Sequence, residues 1–402
     1  MDTRAPGGRI TGLDGLRGVA ALVVVIHHVL LVSPVFADVT VLRARAEPGT
    51  LHWWLSYTPM HVIWGGTEAV FVFFVLSGFV LTGPALRANA SWLVYYPKRL
   101  LRLYLPVWAS IVLAALSAIL VVRGNVPGAS WWVQAHGPLN VPSALRTAML
   151  VNSDNWLNVP QTDWLNSPLW SLTWEVWFSL LLPLYIWLGV WAARRLWRTW
   201  ALAVVLAAVM TVAFREQYAP LSYLPMFMFG VLLYLHRERI ARAAAWIADG
   251  RRWVWPALLV VALVSITSYW MLVGLVPDAP RMVVAAFRPL QVAGACLFVV
   301  CAFAWPAAER VFDSRPLRWL GLRSFSLYLT HEIVLITAVL LLGGSPPLAL
   351  ALAIVLPVAL VVASLFFRFV ERPSHRFAQW VGGVVQAAVD RRRGELSTVS
   401  RN

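Results

Sequence analysis

The chain has 402 residues, of which 60% are hydrophobic and 13% are charged, and its mean hydropathy is +0.71. This composition excludes a soluble globular protein, whose surface would need more polar residues, and indicates an integral membrane protein. The net charge of +15 does not indicate nucleic-acid binding, because the cations lie in short loops beside apolar segments rather than in one patch.

Apolar segments long enough to cross a bilayer recur along the whole chain. We expect an all-α protein, because backbone groups in lipid must be satisfied within each segment and no segment alternates like a barrel strand. Two of the segments, 199–214 and 221–236, are short for a span. The ten predicted transmembrane helices are 16–36, 60–83, 100–122, 169–190, 199–214, 221–236, 254–276, 285–305, 321–342 and 348–369.

The distribution of Lys and Arg predicts the topology of these spans. If the N-terminus is cytoplasmic, most of the 33 basic residues fall in inner loops, which is the positive-inside pattern. Both termini are then cytoplasmic, and the protein is a multi-pass protein of the inner membrane. The chain divides into a cytoplasmic N-terminus at 1–15, a transmembrane domain at 16–370 and a basic tail at 371–402. This tail is either an amphipathic helix on the inner leaflet or a solvated, partly disordered segment.

The first span places a cation and an imidazole on one helix face. Eleven residues separate Arg17 from His28, which at about 100° per residue is about 20° more than three turns, with a rise of about 16 Å. His27 points about 80° away from this line. An imidazole halfway across a bilayer is costly unless it faces protein or a wet cavity, so His28 is a candidate functional residue. The structural alternative is a hydrogen bond to a neighbouring helix.

Further polar residues lie inside later spans. Each of these residues also has a purely structural explanation, as a member of a buried pair or as a helix anchor. Glu68 lies near the start of the second span, and Glu175 lies in the outer part of the fourth. Together with the first-span pair, these residues predict a polar column from cytoplasmic cations, past two imidazoles, to an outer carboxylate. The remaining members are Arg99 and Arg102 at the inner end of the third span and His331 in the ninth.

The longest predicted non-membrane stretch is 123–168, on the outer side. A connection of this length without evident elements is typical of a lid or a binding loop. Its tryptophans either belong to the interfacial belt or form a stacking wall for an acceptor. Its notable residues are Trp131, Trp132, Asp154, Trp156, Asp163 and Trp164. Elsewhere, Cys296 and Cys301 lie in one span and predict no disulfide, and no metal-ligand spacing or phosphate-binding glycine loop is evident.

Six segments, in order, resemble signatures of the acyltransferase-3 family of bacterial integral membrane proteins. The resemblance extends over about residues 10–376. Because the chain stops soon after the tenth span, it resembles the stand-alone form without an appended extracytoplasmic hydrolase-like domain. The segments are Leu13-Asp14-Gly15-Leu16-Arg17-Gly18 with His28, Phe73-Phe-Val-Leu-Ser77-Gly78-Phe79, Arg99-Leu-Leu-Arg102, Trp170-Ser-Leu-Thr-Trp-Glu175, Ser326-Leu-Tyr328-Leu-Thr-His331 and Glu371-Arg372-Pro373.

The resemblance implies transfer of an acyl group, often acetyl, from cytoplasmic acyl-CoA to a hydroxyl of a glycan, glycolipid or small molecule. Acyl-CoA is then a co-substrate, with no permanently bound cofactor or metal. The expected roles are CoA-phosphate binding by Arg17, Arg99 and Arg102. His28 is the expected general base. Glu175 and His331 are expected to orient the acceptor or to carry its proton. Acceptor contacts are assigned to Glu68, Trp170, Trp174 and Tyr328. A covalent acyl intermediate on histidine or on Ser77 stays open.

Two other classes of function fit the same segments. A lipid or glycolipid transporter or flippase would use the polar column as its translocation path, although no matching pair of broken spans is visible. A receptor-like binding protein would rely on the outer Trp-rich loop. Dependence on acyl-CoA separates the enzyme from both alternatives. The sequence does not identify the acceptor, the acyl group, the oligomeric state or the side of the membrane on which transfer occurs.

Overall fold

The computed structural model describes residues 11–41, 44–88, 90–124, 126–150, 165–248 and 250–399. Within these ranges the regular elements are helices and no β-strand occurs, which confirms the predicted all-α class. The helices are α1 (Thr11–Leu30), α2 (Pro34–Thr40), α3 (Leu51–Tyr57), α4 (Gly66–Ala85), α5 (Trp92–Leu120), α6 (Trp131–Gln134), α7 (Val141–Met149), α8 (Trp170–Ala193), α9 (Leu196–Arg215), α10 (Ala219–Leu235), α11 (Arg237–Ala248), α12 (Val254–Leu275), α13 (Arg281–Ala304), α14 (Pro306–Phe312), α15 (Arg315–Leu341), α16 (Leu348–Phe366) and α17 (Arg372–Val399).

Nine helices of the described chain are long and apolar enough to cross a membrane. A tenth span is obtained if α10 and α11, which meet at an angle of 64°, form one broken span. The short predicted segment 199–214 is therefore confirmed as a full helix, whereas 221–236 reaches spanning length only together with the bent α11. The number of spans agrees with the sequence analysis, and the orientation of the termini stays a prediction.

The third span begins earlier than expected. The sequence analysis starts it at residue 100, but α5 begins at Trp92. Arg99 and Arg102 consequently lie two to three turns inside the helix, and the expectation that they mark its inner end is wrong. Hydropathy underestimates this helix because its first turns contain polar and aromatic side chains, which are compatible with a helix when tertiary partners satisfy them.

Glycines of α1 and α15 let the backbone of α1 lie in direct contact with the backbones of α14 and α15. A Cβ atom on Gly15 would lie 2.1 Å from the carbonyl oxygen of Phe312, and one on Gly321 would lie 2.0 Å from that of Asp14. Only glycine permits such an approach. The N-terminal turns of α1 are thereby held against α15, and this contact places Arg17 and His28 beside that helix.

The last span continues into the C-terminal helix. A π-helical turn at Phe367–Glu371 joins α16 to α17, and such turns are frequent at functional sites. It directs Glu371 and the following residues of α17 toward α5 and α15. Of the two alternatives for the tail, the structure describes a helix as far as Val399, and its position relative to the leaflet stays untested.

The stretch 123–168 is not an unstructured loop, contrary to expectation. It contains α6 and α7, and the Ser130 hydroxyl at the start of α6 donates a 2.6 Å hydrogen bond to the Leu31 carbonyl after α1. Trp132 of α6 is fully buried, so it belongs to the protein core and not to an interfacial belt. Four residues singled out in the sequence lie outside the described residues, namely Asp154, Trp156, Asp163 and Trp164.

Candidate active site

A cavity of about 310 Å³ brings the three predicted CoA-binding arginines together. Arg17 reaches it from α1, and Arg99 and Arg102 reach it from α5. Residues of α4, α8, α15 and the turn between α16 and α17 also line it. The other polar side chains that line this arginine cavity are Asp14, Ser77, Ser171, Glu175, Ser324, Tyr328, Glu371 and His375.

Arg99 is paired with Glu175 in the wall of this cavity. Its Nη2 donates to Glu175 Oε1, its Nε donates to Ser179 Oγ at 3.1 Å, and the Ser77 hydroxyl donates to Glu175 Oε1 at 3.0 Å. The sequence analysis places this carboxylate at the far end of the column from the arginines, and that expectation is wrong. The residues come from different spans, so which of them meet depends on how α5 and α8 pack.

Arg102 is held by two residues of the last span that the sequence analysis did not assign to the site. Its Nε lies 3.1 Å from His375 Nε2, and this nitrogen lies 3.8 Å from Glu371 Oε1. Glu371 in turn accepts from the backbone N–H of Ser326 at 3.1 Å and interacts electrostatically with Arg17. The Glu371-Arg372-Pro373 signature was the sequence signal for this part of the cavity.

His28 and His331 form a buried imidazole pair between α1 and α15. His28 Nδ1 lies 3.1 Å from His331 Nε2. Each Nδ1 also lies 2.9 Å from the carbonyl oxygen four residues earlier in its own helix, that of Val24 or Leu327. A carbonyl oxygen can only accept a hydrogen bond, so the arrangement favours Nδ1–H tautomers and leaves the Nε2 lone pair of His28 available. The structure thus brings together the two imidazoles that the sequence placed in one polar column, and their proposed roles stay a prediction.

Glu332 completes this cluster, and the sequence analysis missed it. Glu332 Oε2 lies 3.5 Å from His28 Nε2, and Oε1 lies 3.0 Å from His136 Nε2. The carboxylate also accepts from the backbone N–H and the hydroxyl of Ser167. A carboxylate next to His331 inside a span was itself a signal. No sequence signal pointed to His136, because it lies 196 residues from Glu332, in the predicted outer loop.

Tyr328 separates the arginine cavity from the imidazoles. It lines the cavity, and its ring centroid lies 6.1 Å from that of His331. Its hydroxyl contacts the carbonyl oxygen of Pro168 at 2.8 Å and Ser171 Oγ at 2.6 Å. The order along α15 is therefore the arginine cavity, then Tyr328, then the pair His331 and Glu332.

Glu68 lies in a different buried cluster from either part of the site. Its Oε1 accepts from Trp270 Nε1 at 2.9 Å and from Gln291 Nε2 at 2.8 Å, and its Oε2 lies 3.5 Å from His61 Nε2. These contacts give Glu68 a structural role that joins α4 to α12 and α13. The predicted contact with the acceptor stays a prediction.

The two adjacent histidines of α1 face different surroundings, as their spacing predicts. His27 Nδ1 lies 2.9 Å from the Trp64 carbonyl oxygen, and its ring stacks on the Trp64 indole. His28 alone reaches His331 and Glu332. The distinction drawn from helical periodicity between His27 and His28 is therefore confirmed in position.

Trp170 and Trp174 lie in an aromatic group around Tyr223. Their ring centroids lie 5.0 and 5.6 Å from that of Tyr223, and Trp174 is fully buried. Neither is among the side chains that line the arginine cavity. Packing accounts for both residues, and their predicted contact with the acceptor stays untested. Cys296 and Cys301 are free thiols.

Comparison with known proteins supports one family. A family model described as an acyltransferase domain (Acyl_transf_3) matches residues 10–368. Acyltransferase MdmB of Streptomyces mycarofaciens is 30% identical over 396 residues, which cover 92% of each chain. "Putative peptidoglycan O-acetyltransferase YrhL" of Bacillus subtilis is 24% identical over 90% of this chain and 54% of its own length. No solved structure matches.

A third relative, peptidoglycan O-acetyltransferase OatA of Listeria monocytogenes, is 28% identical over a shorter stretch of 99 residues, 22% of this chain and 16% of its own length. The family match extends over all of α1 to α16, and it includes the three arginines of the cavity and the imidazole pair, whereas Glu371 and His375 lie beyond it. This match over nearly the whole length, together with the full-length relative, shows that the chain belongs to the acyltransferase-3 family of multi-pass membrane proteins.

Proposed function

We propose that this protein transfers an acyl group, in the first instance acetyl, from acyl-CoA to a hydroxyl of an envelope glycan, a glycolipid or a secondary metabolite. The observation that carries the proposal is the order along α15, where a cavity lined by Arg17, Arg99 and Arg102 adjoins the pair His28 and His331. The names of two relatives, which describe O-acetyltransferases of peptidoglycan, support a glycan as acceptor.

In this proposal, the arginine cavity binds the phosphates of CoA. Guanidinium groups form strong charge-assisted hydrogen bonds with phosphate oxygens. Arg99 and Arg102 already contact Glu175 and His375, respectively. Both contacts orient the arginines, and the Glu175 carboxylate also offsets part of the charge of Arg99. Arg17 contributes the third positive charge from α1. The thioester then extends past Tyr328 toward the imidazoles.

The imidazole pair supplies the acid–base chemistry of the proposed reaction. His28 Nε2 takes the proton of the acceptor hydroxyl while the hydroxyl oxygen attacks the thioester carbonyl carbon. The resulting imidazolium faces the Glu332 carboxylate at 3.5 Å, which stabilises the added positive charge. When the tetrahedral intermediate collapses, the carbon–sulfur bond breaks and the proton passes to the thiolate. The products are the ester and free CoA, with no net change in protons.

The test compares mass spectra of envelope glycans, lipids and secreted metabolites from cells that carry the wild type, His28→Ala or His27→Ala at matched membrane levels. We expect one species to lose a single acyl mass in His28→Ala and to keep it in His27→Ala, because only His28 faces His331 and Glu332. The lost mass identifies both the acyl group and the acceptor.

Two results would contradict the proposal. Loss of the acyl mass in His27→Ala, with His28→Ala active, would reverse the assignment of the base. A lipid that redistributes between leaflets without any change of acyl mass would replace the enzyme by a transporter. Placement in the cytoplasmic membrane, with both termini inside, belongs to the same proposal, because it brings the arginine cavity to the side that contains CoA.

A further inference from the structure

Arg123, just after α5, is a buried cation that the proposed mechanism does not use. The residue is 7% exposed. Its Nη2 donates a 3.2 Å hydrogen bond to Ser117 Oγ, but Nε and Nη1 are buried without a hydrogen-bond partner among the described residues. A guanidinium removed from water with two unpaired donors is costly. Burial lowers the pKa of Arg123, and the charge of Glu332 opposes that shift.

Arg123 is linked through Ser117 to α15, the helix that carries His331 of the imidazole pair. Ser117 Oγ, which accepts from Arg123, lies 2.6 Å from Thr337 Oγ1 on α15. Thr337 follows His331 by six residues, a rise of about 9 Å along the helix. The order along α15 is thus the arginine cavity, the imidazole pair and then Arg123. The cation lies on the side of the imidazoles opposite to the proposed donor site.

The segment that contains Arg123 is held in place by the turn between α15 and α16. Gly344 has a φ of +86°, and a Cβ atom there would lie 2.1 Å from Val126 Cγ1. The turn therefore closes over the chain just after Arg123. The Arg123 side chain itself is anchored to α5 by its hydrogen bond to Ser117.

We propose that Arg123 binds an anionic oxygen of the acceptor. The inference rests on the proposed acyl transfer and adds the substrate class, a hydroxyl compound that also carries a phosphate or carboxylate. The two unpaired donors match such a group. The rise along α15 places the anionic group on the order of 10 Å from the hydroxyl that is acylated. The Glu332 carboxylate, whose charge acts on Arg123, already contacts His136, Ser167 and His28. Among the described residues, Arg123 itself donates no hydrogen bond to a carboxylate.

The experiment uses the full chain in an uncharged detergent and measures its thermal unfolding with glucose 1-phosphate or glucose as the probe. We expect glucose 1-phosphate to raise the Tm of the wild type and glucose not to. Arg123→Gln should lower the affinity for glucose 1-phosphate by about tenfold or more, and Arg123→Lys should keep part of it. Arg146→Gln, which changes an exposed arginine of α7, is the matched control.

Two further measurements show which arginine binds the anionic group and whether a sugar phosphate or a lipid carries that group. Arg17→Gln should keep the glucose 1-phosphate shift, which distinguishes Arg123 from the arginine cavity. In nanodiscs, an Arg123-dependent stabilisation by phosphatidylglycerol relative to phosphatidylcholine, without any effect of the sugar phosphate, would identify the anionic group as one carried by a lipid.

The inference is overturned if glucose 1-phosphate and phosphatidylglycerol both fail to stabilise the wild type, or if they stabilise Arg123→Gln equally. Acetyl-CoA binding by Arg123→Gln, expected to equal that of the wild type, shows that the variant is folded. If acetyl-CoA binds neither protein, the donor assignment of the proposed function fails, while the dependence of anion binding on Arg123 can still be read.

Discussion

His28 of α1 and His331 of α15 meet at 3.1 Å between Nδ1 and Nε2, although 303 residues separate them in the chain. The contact exists because two glycines of the first motif and of α15 bring the helix backbones together. It places an imidazole with an available Nε2 lone pair beside the Glu332 carboxylate and next to the arginine cavity.

Glu332→Gln is expected to lower kcat by about 10²-fold, because the neutral amide no longer stabilises the protonated His28. The affinity for acetyl-CoA should be unchanged, since Glu332 does not line the arginine cavity. Steady-state kinetics in detergent, combined with acetyl-CoA titration, measures both quantities. Glu238→Gln, at an exposed carboxylate of α11, is the control. Equal kcat values for Glu332→Gln and the wild type would exclude this positioning role.

Arg17→Gln is expected to lower the affinity for acetyl-CoA by about tenfold, because one charge-assisted contact with a phosphate is lost. Isothermal titration of the purified protein measures the dissociation constant. The control is Arg318→Gln, which removes an exposed arginine of α15 that pairs with Asp313 and does not line the cavity. If both variants bind acetyl-CoA like the wild type, Arg17 serves only the packing of α1.

Arg99→Ala is expected to destabilise the protein by about 3–5 kcal/mol, because the nearly buried Glu175 carboxylate then has no cation beside it. Glu175→Gln in the same chain should restore part of the stability, since the unpaired charge is then removed. Thermal unfolding of both variants measures this difference. An Arg99→Ala variant with the wild-type Tm and weakened acetyl-CoA binding would instead mean that the arginine serves the ligand alone.

The orientation of the protein in the membrane is tested by cysteine labelling in a background without Cys296 and Cys301. A cysteine in place of Arg146 should react with an impermeant reagent in intact cells, because the positive-inside pattern places α7 outside. A cysteine in place of Arg239, in α11, should react only after permeabilisation. Both side chains are exposed. The reverse pattern would invert the topology and move the arginine cavity away from CoA.

Periodicity and charge distribution predicted a large part of this site. The eleven-residue interval between Arg17 and His28 predicted that both residues lie on one face of α1, because the angle between side chains on a helix follows from sequence separation alone. The same reasoning could not pair Glu175 with Arg99 or His136 with Glu332. These contacts join separate segments, and no spacing within one helix encodes them.

The sequence by itself determined that the chain is an all-helical membrane protein with about ten spans, which residues share a helix face, and to which family it belongs. Only the tertiary structure decided which helices are neighbours, and therefore that α15 lines the arginine cavity, carries His331 of the imidazole pair and reaches Arg123 through Thr337 and Ser117. In a membrane, a helix face toward lipid and one toward protein are both apolar, so hydropathy does not specify neighbours. Close glycine contacts and buried polar pairs specify them instead, and both become visible only when the helices are packed.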